Sequence, residues 1–350
     1  MSEPSIYRRI ISGESGGWAS TVRGLLRVVE YGYAAAVSWR NRRYERKNRS
    51  ATLPVPVFSV GNITVGGTGK TPLVIDLVQR LEQMGRNPAV LSRGYRSGAG
   101  EANDEERLIR RRCPSVVCIA DPDRTRAGKI ALEKFGADIL VLDDGFQHRR
   151  LARTLDIVVV DATCPFGYSH LLPRGLLREP LQGLRRADVI VLTRCDQVSR
   201  GTLEGLKERL AKLAPEATRL SSRHRVVGVE TLDGNQWNGT PSGKRGALFA
   251  GIGHPGAFLT TVRKMGLEIV GTKWFPDHHR YTRGDVASLL REGAFPSHEL
   301  LLTTEKDAVK LVTLKGIDPT RIAVVKIEID FSNDNGTIWQ SILEQAISNG

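Results

Sequence analysis

The residues whose types and spacing speak most directly of chemistry run from 61 to 71: Gly61-Asn62-Ile63-Thr64-Val65-Gly66-Gly67-Thr68-Gly69-Lys70-Thr71. A β-branched run, VFSV at 57–60, leads into them, and a helical pattern, PLVIDLVQRLEQM from Pro72, follows at once. Strand, glycine-rich loop, Gly-Lys-Thr and helix is the context that a phosphate loop requires. Glycines let backbone N–H groups turn inward on phosphates, and the helix N-terminus adds its positive end. Lys70 then reaches the β/γ oxygens and the Thr71 hydroxyl takes Mg²⁺. Thr64 stands where the usual motif opens with glycine, so the expected nucleotide-binding set is Thr64, Val65, Gly66, Gly67, Thr68, Gly69, Lys70 and Thr71.

A second constellation belongs with the first. The apolar run ILVLDD ends in Asp143-Asp144, followed by Gly145-Phe146-Gln147-His148-Arg149-Arg150-Leu151. A carboxylate at the C-terminal end of a neighbouring strand is where a phosphate-loop protein places a Mg²⁺ ligand. Asp143 is assigned to metal, leaving Asp144 to orient water or substrate, and His148 with the two arginines is a candidate phosphate contact. The strand DVIVLT leads into Thr193-Arg194-Cys195-Asp196, in which only the aspartate matches the N-K-x-D element that reads guanine; a helix cap is the commoner use of such a loop.

These residues need a sheet to hold them. VFSV (57–60), PAVLS (88–92), SVVCIA (115–120), DILVLDD (138–144), LDIVVVD (155–161) and DVIVLT (188–193) are continuous apolar runs separated by helical stretches, the pattern of a parallel sheet covered on both faces. After the basic stretch Arg219–Arg225 a second α/β series begins: VVGVETL (226–232), GALFAGIG (246–253), LEIVGTKW (267–274), ELLLTTEKD (299–307) and RIAVVKIEI (321–329), with no phosphate loop of its own. Thr304-Glu305-Lys306-Asp307 reads as a helix cap. The expected fold is α/β: a phosphate-loop NTPase-type parallel-sheet domain (51–222), a second, smaller α/β domain (223–350) contributing to the site or to a lid, and an N-terminal amphipathic helix within residues 1–50.

The 350-residue chain carries 51 Lys and Arg against 38 Asp and Glu, a formal charge of +13, which calls for an anionic partner. Residues 1–50 alone hold ten Lys and Arg and four acids, nearly half of the excess. Within them, WASTVRGLLRVVEYGYAAAVSW spaces Val22, Leu25, Leu26, Val29, Tyr33, Ala36 and Val37 as one helical face, with Trp at both ends and the basic run RNRRYERKNR behind. Arg23, Arg27 and Glu30 interrupt the apolar run, so it is not a membrane span, and no cleavage site marks it as a secretory signal. An interfacial anchor on anionic lipid fits this composition, as does a helix packed on the protein's own core. On the first reading, removing residues 1–50 releases the protein from membranes without abolishing its activity. Aromatic residues make up only 6%, and the densest basic run adjoins an amphipathic helix, which disfavours a nucleic-acid groove. Four cysteines without C-x-x-C spacing suggest neither a disulfide scaffold nor a zinc site and read as reduced thiols of a cytosolic protein.

Several segments, in order and spacing, resemble the tetraacyldisaccharide 4'-kinases of lipid A biosynthesis: SVGNITVGGTGKTPLV, LSRGYRS (91–97), NDEERL (103–108), VLDDGFQHRRL (141–151), LLPRGLLREP (171–180), FAGIGHP (249–255), WFPDHHRYT (274–282) and LTTEKDAVKL (302–311). The resemblance covers roughly residues 20–330. It implies transfer of the ATP γ-phosphate to the 4'-hydroxyl of tetraacyldisaccharide 1-phosphate by a Mg²⁺-dependent peripheral enzyme at the cytoplasmic face of the bacterial inner membrane. By the same resemblance Asp104 is the base, with Asn103 where glycine is usual, and His278 of the Asp277-His278-His279 segment is its partner in preference to His279. Glu179 joins Thr71 and Asp143 around Mg²⁺, and Arg178 meets phosphate charge. The partners implied are the glycolipid and an anionic membrane surface, with no nucleic acid. A regulatory GTPase, suggested by Thr193-Arg194-Cys195-Asp196, is the alternative, followed by a basic nucleic-acid-binding ATPase.

Overall fold

The computed structural model describes residues 6–13, 17–47, 50–94, 103–237, 239–291, 293–295 and 298–349. In chain order its elements are α1 (Ile6–Ser12), α2 (Gly17–Lys47), β1 (Val57–Gly61), α3 (Lys70–Gln83), β2 (Pro88–Ser92), α4 (Asp104–Arg112), β3 (Val117–Ala120), α5 (Arg124–Phe135), β4 (Ile139–Asp143), β5 (Leu155–Asp161) and β6 (Val189–Thr193). There follow α6 (Arg200–Leu213), β7 (Thr218–Thr231), β8 (Arg245–Ala250), α7 (Pro255–Arg263), β9 (Glu268–Trp274), α8 (Arg283–Leu290), β10 (Leu300–Thr304), α9 (Glu305–Leu311), β11 (Ala323–Phe331) and α10 (Asn335–Ser348). They form two compact units: a larger one of residues 3–96, 113–223 and 330–350, and a smaller one of 97–112 and 224–329.

In the larger unit the strands run β3-β2-β4-β1-β5-β6, with the start of β7 beside β6, and all described pairs are parallel. β1, β2, β4, β5 and β6 are buried at every residue, which is why they read as unbroken apolar runs: helices cover both faces. The register Val60↔Asp143 sets the first aspartate of the DD pair beside the end of β1, where the phosphate loop starts. α10 returns to this unit and docks on α3 through Trp339, fully buried, whose Nε1–H donates to Asp76 at 2.9 Å.

α2 is apolar on two sides. Ala19, Glu30 and Val37 are buried, and Tyr33 and Ala34 pack on the cluster built from Ile63, Phe146, Phe166, Leu177 and Leu184. Trp18, Leu25, Val28, Val29 and Trp39, each more than half exposed, occupy about a third of the opposite circumference at 3.6 residues per turn. Among the described residues no helix is long and apolar enough to cross a membrane.

The smaller unit orders its strands β11-β10-β8-β9, the described pairs again parallel, with the end of β7 beside β11. Its cores gather Phe249, Val286 and Val324 on one face of the sheet and Leu248, Val262 and Leu302 on the other. α4 packs on α9. The stretch Arg219–Arg225 is part of β7, whose residues up to Arg223 belong to the larger unit and those from His224 to the smaller. Leu220 is the one apolar residue of that stretch, which is why a strand there escapes an apolar-run criterion. None of the four cysteines is in a disulfide, and Cys113, Cys118 and Cys195 are buried.

Candidate active site: a phosphate loop and an Asp–His pair

β1 ends at Gly61, where a Cβ would stand 2.5 Å from that of Phe146, so only glycine lets the Asp143–Phe146 loop approach. The chain then turns through Gly66 (φ +120°) and Gly69 (φ +92°), left-handed positions that suit glycine. Gly69 is the N-cap of α3, so Lys70 and Thr71 open the helix with no acidic residue in its first turn, and the dipole's positive end faces the loop unopposed. Buried Asn62 braces the loop from inside: its Nδ2 donates to the Thr64 carbonyl at 2.7 Å and to Thr68 Oγ1 at 3.0 Å.

Two further braces come from residues assigned no such part by sequence. The Thr193 hydroxyl donates to the Thr68 carbonyl at 2.8 Å, and Arg194 donates through Nη2 to the Gly67 carbonyl at 2.9 Å. Arg194, at φ +55°, is buried in an ion pair with Asp161 at the end of β5. The Thr-Arg-Cys-Asp element, read as a cap or a guanine reader, thus also holds the underside of the phosphate loop. The signal available in the sequence was an arginine directly after the run VIVLT, apolar but for its last residue, where an unpaired charge would be costly.

Lys70 Nζ lies 3.3 Å from Asp144 Oδ1, and Arg178 Nη1 lies 2.7 Å from Asp144 Oδ2. Burial pushes the Asp144 carboxyl up, but these two cations, and the hydrogen bonds they donate, outweigh it and hold the group far below the usual carboxylate range. Asp144 is thus a fixed anion between two cations, held at φ +54°, a left-handed conformation that aspartate tolerates better than most residues. Asp143, on the last position of β4, is buried. Glu179 is wholly buried; Gln147 donates to its Oε1 at 2.8 Å and Arg186 to its Oε2 at 2.7 Å. Gln147, whose Nε2 also donates to the Asn62 carbonyl at 2.8 Å, ties this cluster to the loop. His148 is half-buried; burial first, then the charges of Arg124, Arg153 and Arg150, push its imidazole down to about 4, so it is neutral at pH 7.

In the smaller unit, Asn103 starts α4. Its Oδ1 accepts the Glu106 N–H at 2.8 Å, the N-cap bond that a glycine in its place could not make, and Asp104 becomes the first residue of the helix. His278 Nδ1 lies 3.2 Å from Asp104 Oδ2. His278 sits at φ +61° in the turn after β9, its N–H bonded to the Gly251 carbonyl at 3.2 Å; such strained positions cluster at functional sites. His279 turns elsewhere, 3.2 Å from Asp285 and stacked on Phe275. Thr304 caps α9 as its sequence suggests, accepting the Asp307 N–H at 3.1 Å.

α9 also brings two lysines that sequence reasoning passed over. Lys306 pairs with Glu105 at 2.9 Å, and Lys310, buried against Asp307 at 2.7 Å, stands 3.7 Å from Asp104. Burial raises Asp104, but the hydrogen bond to His278 and the charges of Lys310 and Lys306 together hold it below its ordinary value. An ionised carboxylate, hydrogen-bonded to an imidazole and flanked by cations, can accept a proton from a hydroxyl.

The larger unit thus holds an anion cradle and the smaller a carboxylate–imidazole pair. The profile of the tetraacyldisaccharide-1-P 4'-kinase family matches residues 22–347. The chain is 43% identical over 314 residues to the tetraacyldisaccharide 4'-kinase of Anaeromyxobacter sp. (strain Fw109-5), covering 85% of this chain and 84% of that protein. To the enzyme of the same name from Syntrophus aciditrophicus it is 40% identical over 318 residues, covering 83% and 85%. Its fold matches the crystal structure of LpxK from Aquifex aeolicus in complex with ATP, with a TM-score of 0.71 at 27% identity over 93% of this chain and 99% of that one. The chain belongs to the tetraacyldisaccharide-1-P 4'-kinase family.

Proposed function

We propose that the protein transfers the γ-phosphate of ATP to the 4'-hydroxyl of tetraacyldisaccharide 1-phosphate, a step of lipid A synthesis. The observation that carries this reading is the phosphate loop of a family kinase with Lys70 at the head of α3, ion-paired to Asp144. Residues 64–71 cradle the nucleotide phosphates. Arg178 and Lys70 meet the charge that spreads over the transferred group, and phosphoryl transfer is catalysed mainly by such positioning and neutralisation. The 4'-oxygen forms its bond to the γ-phosphorus as the bond from that phosphorus to the β–γ bridging oxygen breaks. ADP leaves, and Asp104 takes the hydroxyl proton. His278 orients the Asp104 carboxylate and shares its proton.

Mg²⁺ suits the donors present. Among the described residues no group of three or more His, Cys, Asp or Glu is arranged to hold a metal. Mg²⁺ bound with substrate phosphates needs only one or two protein oxygens, hard donors such as a hydroxyl and a carboxylate. Thr71 and Asp143 would supply them, and the ion would neutralise charge on the β and γ oxygens. Glu179, its oxygens engaged by Gln147 and Arg186, serves the site through those side chains rather than as a direct ligand. Asp144 holds Lys70 and Arg178 in place, and His148 lies among the arginines of the same loop.

The exposed apolar arc of α2 supports an interfacial position on the membrane that holds the acceptor. Trp18, Leu25, Val28, Val29 and Trp39 would enter the acyl boundary while Arg43, 5.8 Å from the Trp39 ring, meets lipid phosphate. Such a protein is peripheral, and its ATP places it on the cytoplasmic face.

The test is direct. Full-length protein in detergent micelles is incubated with Mg²⁺, γ-labelled ATP or GTP, and the tetraacyl disaccharide 1-phosphate. Label on the lipid from ATP supports the kinase; hydrolysis of GTP with no labelled lipid would favour the regulatory GTPase.

A further inference from the structure

α2 does more than face outward. The segment 166–179, which delivers Arg178 and Glu179 to the phosphate site, is held from two sides. One side is the phosphate loop itself: the Val65 N–H donates to the Leu176 carbonyl at 2.8 Å and the Arg178 N–H to the Ile63 carbonyl at 2.7 Å. The other side is α2. The Tyr33 hydroxyl donates to the Arg178 carbonyl at 2.8 Å. One turn earlier, buried Glu30 accepts the Leu171 N–H at 2.7 Å and pairs with His170 at 3.2 Å. Two turns later, Asn41 makes a long contact of 3.5 Å to Glu179, and its carbonyl accepts from Arg149 at 3.1 Å. Both backbone polar groups of Arg178 are thus spoken for, one by the loop and one by the helix, while its guanidinium grips Asp144.

We propose that Tyr33 is a positioning residue for phosphoryl transfer: through the Arg178 carbonyl it sets the arginine that meets the transferred phosphate, so the face-exposing helix is a structural part of the phosphate site. The proposal rests on the kinase reading above. The contacts run along one side of α2 while the exposed apolar arc runs along the other, so one rigid helix touches both the lipid-facing exterior and the Arg178 backbone. Arg178 placed a fraction of an ångström off would lose much of its worth in the transition state, because catalysis by fixed charges depends on their pre-set position. It follows that removing residues 1–50 takes away a wall of the site and not only an anchor.

The experiment is a double-mutant cycle on the full-length protein with Tyr33→Phe and Arg178→Ala, in micelles containing the tetraacyl disaccharide 1-phosphate. Phenylalanine keeps the ring in the core and removes only the donor. Tyr33→Phe is expected to lower kcat about five- to tenfold, the worth of one hydrogen bond, with the lipid KM and sedimentation with phosphatidylglycerol vesicles unchanged. In the Arg178→Ala background the same change is expected to have no further effect. Wild-type kcat in Tyr33→Phe would overturn the proposal. So would a loss that adds in full on top of Arg178→Ala, which marks a general destabilisation. A wild-type protein that labels no lipid would sink the kinase reading instead.

Discussion

His278 Nδ1 stands 3.2 Å from Asp104 Oδ2 although 174 residues separate them in the chain. The pairing depends on two local devices: the Asn103 cap that begins α4 at Asp104, and the left-handed turn at His278 after β9. Around it, Lys306 and Lys310 keep the carboxylate ionised.

The pH dependence of turnover follows from that direction. A depressed aspartate keeps its charge to lower pH than an ordinary one, so the acid loss of kcat/KM due to Asp104 is expected to set in below the usual aspartate value. Lys306→Met removes one of the charges that lowers it and is expected to move that acid limb to higher pH, as a pH–rate profile would show. An unmoved limb would mean that Lys306 does not act on Asp104.

His148 makes the opposite prediction for stability. It is neutral in the fold down to about 4, whereas an unfolded histidine takes its proton near 6.5. Between those values the unfolded chain binds more protons, so stability falls as pH drops through that window. Chemical denaturation at pH 7 and pH 5 should show His148→Asn losing less stability on acidification than the wild type. Equal losses would place the sensitivity elsewhere.

Arg194→Met tests the brace beneath the phosphate loop. Leaving buried Asp161 unpaired is expected to cost about 3–5 kcal/mol in denaturant unfolding, and the double variant Arg194→Met with Asp161→Asn should recover part of it. The ATP KM should rise about tenfold, the worth of one hydrogen bond to a charged group, with the ATP-to-GTP preference unchanged. A preference that shifts toward or away from GTP would return Thr193-Arg194-Cys195-Asp196 to base reading.

The outer arc of α2 predicts membrane partitioning. Leu25→Glu with Val29→Glu should weaken sedimentation with anionic vesicles by at least about tenfold, since each buried aliphatic side chain contributes about 1.5–3 kcal/mol. Undiminished binding would show that α2 does not meet lipid.

Much of this was legible in the sequence. The phosphate loop, the aspartate pair at the end of β4 and the parallel strands are local patterns: contiguous apolar runs, glycines at turns, a lysine opening a helix. The assignment of Asp104 and His278 came from family resemblance, because no periodicity links two polar loops so far apart. What stayed hidden is long-range. Lys310 reaches Asp104 only because α9 packs on α4, and Arg194 reaches Gly67 only because β6 ends beneath the loop. The first half of β7 was hidden because Arg219–Arg225 is nearly all polar, with Leu220 its one apolar residue. α2 looked like an anchor or a core helix, and it presents an apolar face each way, a division that a count of apolar spacing does not separate.

Whether Asp104 takes the proton while the phosphate loop holds ATP is tested by two paired readouts on Asp104→Asn. Transfer of label from γ-labelled ATP to the tetraacyl disaccharide 1-phosphate is followed alongside MgATP affinity by calorimetry. With Asp104 as the base, kcat is expected to fall by about 10²–10⁴, the usual share of general base catalysis, with MgATP affinity within about twofold, since a group that contacts only the acceptor gives ATP no binding energy. Turnover near the wild-type rate, or loss of MgATP binding in step with activity, would contradict it.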